Sequence, residues 1–104
     1  MAETLEEIFN EIENAFSKNF NECRLTNRTT NLEIEFSNEY DYNWFEENIC
    51  YPKNLDEKEY PIDFLSSLKP IGDILSDRYG YSFIFTVKDK DKLIEMLNQR
   101  WLVG

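Results

Sequence analysis

The sequence predicts a single α+β domain, with an antiparallel sheet of about four strands packed against helices on one face. The expected element order is α-β-β-β-α-α-β-α. Three observations predict it. Apolar residues recur at spacings of three and four near both ends of the chain, and they alternate with polar residues in between. The chain of 104 residues, 41% of them hydrophobic, is sized for one core that needs neither disulfide nor metal. No internal repeat, low-complexity tract or long linker divides it, so residues 1–104 read as one domain.

The elements follow in order. Thr4 with Glu7 three residues later has the pattern of a capping box. Leu5, Ile8, Phe9, Ile12, Phe16 and Phe20 then form the apolar stripe of an amphipathic helix. "TNRTTN" is turn-like, and "NLEIEF" alternates, with Leu32, Ile34 and Phe36 inward and Glu33 and Glu35 outward. A hairpin between strands near 22–26 and 31–36 is the simplest reading. After a second turn at "SNE", Tyr40, Tyr42 and Trp44 share one face and Asp41 and Asn43 the other, which predicts a third strand. "PKNLDEKEYP" is a charged, proline-bounded loop. "PIDFLSSL" is expected to open a short helix with Pro61 in its first turn, and "PIGDILSDRYG" a second, stopped by Gly80. "YSFIFTV" is the strongest strand signal. A last helix, "KLIEMLNQRWL", is capped by Asp89 or Asp91 and directs Leu93, Met96, Leu97 and Trp101 inward.

Composition excludes several chemistries. Without histidine the chain lacks the commonest general base and the usual zinc ligand, so no Ser-His-Asp or Cys-His nucleophile can be assembled. Three glycines suffice for neither a P-loop nor a dinucleotide fingerprint. Glu39, Asp41 and Asn43 have the 1, 3, 5 spacing of a calcium loop. Trp44 then stands where glycine is needed and Cys50 where the bidentate glutamate should be. A carboxylate pair could hydrolyse a glycoside, but nothing selects two acids from 21. The expectation is a protein that is not an enzyme and uses no cofactor or metal. Cys23 and Cys50 match neither a CxxC motif nor a disulfide framework and read as reduced, buried thiols. The N-terminus lacks the basic and apolar regions of a signal peptide, and no run is apolar enough for a membrane span. A cytoplasmic location is expected.

The charge is asymmetric. The formal net charge is −10. Residues 1–63 hold 16 acids and five bases, and residues 64–104 hold five acids and six bases. Between Arg28 and Lys53 there is no base, while Glu33, Glu35, Glu39, Asp41, Glu46 and Glu47 all lie in that window. Such a balance disfavours nucleic acid and anionic membranes and favours a basic protein partner. Like charges on adjacent strands oppose folding, and a basic partner would relieve them. Tyrosine and tryptophan are frequent interface anchors. The expected partner-binding residues are therefore Glu33, Glu35, Glu39, Tyr40, Asp41, Tyr42, Trp44, Phe45, Glu46, Glu47, Tyr51 and Tyr60. In this picture Tyr42 and Trp44 pack inward, while Glu39, Asp41 and residues 45–47 face out.

The function expected from these features is that of a small acidic inhibitor of bacterial origin. It would be an immunity protein that neutralises a basic, nuclease-type toxin by covering its cationic active-site surface. The alternatives are a non-inhibitory adaptor module and an anti-CRISPR-like inhibitor of a nucleic-acid-binding effector. A monomer is expected.

Overall fold

Thr4 starts the first helix as the sequence predicts: its side chain accepts from the Glu7 amide at 3.1 Å. The structure, a computed structural model, describes residues 4–70 and 80–102. Helix α1 spans Leu5–Asn19, and its apolar stripe sinks Ile12, Ala15 and Phe16 into the core. The hairpin follows as strands β1, Cys23–Asn27, and β2, Leu32–Phe36, paired antiparallel with Leu25 opposite Ile34. Its turn is closed locally. The Arg28 amide donates to the Asn31 carbonyl, and the Thr29 amide donates to the Asn27 side chain.

The stretch expected as a third strand is a helix. Helix α2 covers Glu39–Phe45 and runs on into a π-helical segment, Glu46–Cys50. Two physical features override the period of two. Asn38 is an N-cap whose side chain accepts from the Asp41 amide at 2.9 Å, closing the first turn. Tyr42, Phe45 and Ile49 recur at three and four, and all are buried, so the helical period also has an apolar face.

The converse exchange occurs after the loop and a short 3₁₀ turn, Glu57–Glu59. "PIDFLSSL", expected as a helix, forms strand β3, Ile62–Leu68. Ile62 and Phe64 alternate with exposed Asp63, and β3 lies at the sheet edge, where a flanking proline removes no ladder bond. Pro61 contributes only its carbonyl, which accepts from the Lys88 and Asp89 amides at 2.9 and 3.0 Å. A bulge between Phe64 and Ser66 shifts the register beyond it. The short helix expected over 70–80 falls on residues 71–79 and so lies outside the described residues.

Strand β4, Tyr81–Val87, takes an inner position, bonded to β2 on one side and β3 on the other. The sheet order is β1-β2-β4-β3, antiparallel throughout. Helix α3, Lys90–Asn98, is capped by Asp89, which accepts from the Lys92 amide. It buries Leu93 and Leu97 and stops before Trp101, which is 64% exposed instead of inward. The α+β class, the four antiparallel strands and the packing of the described helices on one face are as predicted. One expected strand and one expected helix have exchanged places.

The core lies between that sheet face and the helices. Phe16, Phe36, Phe45, Phe83 and Phe85 are fully buried. Phe45 joins α2 to the sheet, with ring centroids 5.5 Å from Phe36 and 5.0 Å from Phe83. Tyr42 stacks on Phe83 at 4.5 Å. Aromatic pairs of this kind add to plain area burial. No described helix is long and apolar enough to cross a membrane.

Candidate protein-binding face

Helix α2 divides the acidic stretch by periodicity. Asp41, expected on the surface, is 2% exposed. Its Oδ1 pairs with Arg100 Nη2 at 2.6 Å, and the Arg100 side chain is itself 8% exposed. Asp41 Oδ2 accepts from the Asn21 amide and from Asn38 Nδ2, each at 3.1 Å. Arg100 Nη1 donates to the Asn19 carbonyl, which also accepts from Trp101 Nε1, both at 3.1 Å. The guanidinium lies 4.6 Å from the Phe20 ring centre and 4.5 Å from that of Trp101. A buried carboxylate is tolerable when paired and hydrogen-bonded in this way. Asp41 therefore ties α2 to the ends of α1 and α3. It also lies inside a helix, which removes the calcium-loop geometry its spacing suggested.

Phe45, also expected to face out, is fully buried for the same reason: on a helix it falls with Asp41, Tyr42 and Ile49. Glu33 and Glu35 alternate away from the helices as expected, yet only 7% and 4% of their surfaces remain exposed. Arg28 reaches Glu33 at 3.4 Å and Arg24 reaches Glu35 at 3.6 Å. Arg24 is the cross-strand partner of Glu35 in the hairpin. The anticipated like-charge ladder is thus neutralised from within the hairpin, a pairing legible once the turn length is fixed.

An outer stripe carries one of the remaining acids, Glu47. Tyr40, Asn43, Trp44, Glu47, Asn48 and Tyr51 recur at three and four along α2 and the π-helical segment. Tyr40 is 83% exposed, Glu47 and Tyr51 are exposed, and Trp44 is half-buried. Glu39 flanks the stripe and pairs with Lys69 at 2.9 Å. That hydrogen bond lowers the Glu39 carboxyl below its ordinary value and raises the Lys69 ammonium above its own. Glu46 is half-buried on the same turn. The Tyr51 amide closes the π turn on the Glu46 carbonyl at 3.0 Å, and Asn48 Nδ2 donates to the Trp44 carbonyl at 2.9 Å. Single π turns inside helices recur at functional sites. Tyr51 packs edge-on against Phe64 at 5.9 Å. Tyr60, expected in the same surface, is half-buried at the end of the 3₁₀ turn.

Of the twelve expected contact residues, the structure brings Glu39, Tyr40, Trp44, Glu46, Glu47 and Tyr51 onto one continuous helical segment. It assigns Asp41, Tyr42 and Phe45 to the interior of that segment, and Glu33 and Glu35 to the hairpin. Asp91 and Glu95 on α3, which also line the groove beside Trp44 and Glu47, were not among the expected contact residues. No local signal marks them, because they meet the stripe only through tertiary packing. Both cysteines are unpaired: Cys50 is buried and Cys23 half-buried. Burial raises both thiols, Cys23 to about 11 with a further contribution from the Asp41 charge. Among the described residues no three His, Cys, Asp or Glu side chains are grouped to hold a metal ion. In comparisons with known proteins, the chain matches no protein-family model, no curated protein and no solved structure.

Proposed function

We propose that this chain is a small acidic inhibitor that captures a basic protein, in the manner of an immunity protein neutralising a nuclease-type toxin. One observation carries the reading: the outer face of α2 and the π-helical segment presents Tyr40, Glu47 and Tyr51 to solvent, with Glu39 at its edge beside Lys69 and no base in the sequence between Arg28 and Lys53. A nuclease must hold phosphates in a cationic groove. A convex helix bearing carboxylates and rings can cover such a groove, the charges guiding approach and the rings anchoring the complex. Glu33, Glu35 and Asp41 take no part in this reading, since they are engaged within the fold.

The test is capture from a native host lysate on immobilised protein at low and high salt. Wild type is expected to retain one basic nuclease or nucleic-acid-binding protein at low salt. The Glu39→Lys/Glu46→Lys/Glu47→Lys variant should lose it while keeping the wild-type unfolding transition. A partner that is neutral and indifferent to both salt and these substitutions would overturn the reading.

A further inference from the structure

We draw no further inference here: the strongest candidate, the outer edge of strand β3, which bonds β4 alone in the sheet and exposes Leu65 and Leu68, is an unpartnered apolar edge, and nothing among the described residues shows what covers it.

Discussion

Arg100 meets Asp41 at 2.6 Å with both side chains buried, the guanidinium lying against the rings of Phe20 and Trp101. Removing one partner of such a pair leaves an uncompensated buried charge, which typically costs about 3–5 kcal/mol. Arg100→Met should therefore lower the urea unfolding free energy by roughly that amount. Asp41→Leu/Arg100→Met should recover most of it, because the penalty arises from one buried charge left without its partner. Equal loss in the single and double variants would show that the surrounding hydrogen bonds, not the charge, are what matter. The cysteines give a second residue-scale prediction. The folded chain keeps the Cys23 proton up to about 11, whereas the unfolded chain releases it near 9.0. This contribution to stability is intact below about pH 9 and is lost as the pH rises toward 11. Native protein at pH 8 should react slowly with a thiol reagent and rapidly once unfolded in urea. Fast native labelling of both thiols would contradict the burial.

The same chemistry decides which elements form. In residues 39–45 two periods compete, since Tyr40, Tyr42 and Trp44 alternate while Tyr42, Phe45 and Ile49 recur helically. The Asn38 cap, which is local, and the burial of Phe45 resolve the contest, and the pairing of Asp41 with Arg100, 59 positions further along the chain, fixes the helix in place. Asn38→Ala should cost about 1 kcal/mol, as loss of an N-cap does, seen as a lower urea midpoint with unchanged slope. The elements legible from sequence are those whose local and tertiary preferences agree. Helix α1 has its cap and its stripe, β2 has strict alternation, and β4 has β-branched and aromatic residues throughout. Strand β3 is not legible in this way, because Pro61 suits a helix start and a strand start alike. Only its pairing with β4 distinguishes the two. For the candidate face, the location in the aromatic-acidic stretch was legible. So was the inward place of Tyr42, which both periods bury, whereas those of Asp41 and Phe45 were not, because their assignment depends on that same choice of period.

At the scale of the molecule, the net charge of −10 makes every acid contribute a little to self-repulsion. Neutralising any one of them should relieve a similar, small amount. What separates the acids is local environment: Asp41 is held inside a polar network, while Glu47 and Glu95 are exposed on the groove. The acids thus divide into those that build the fold and those exposed to solvent. The most direct test is equilibrium urea unfolding of Asp41→Asn, Glu47→Gln and Glu95→Gln, each of which removes one negative charge. Asp41→Asn should lose about 3 kcal/mol or more, and the two glutamate variants should stay within about 0.5 kcal/mol of wild type. If all three shift alike, or if Glu47→Gln destabilises as much as Asp41→Asn, the division is wrong.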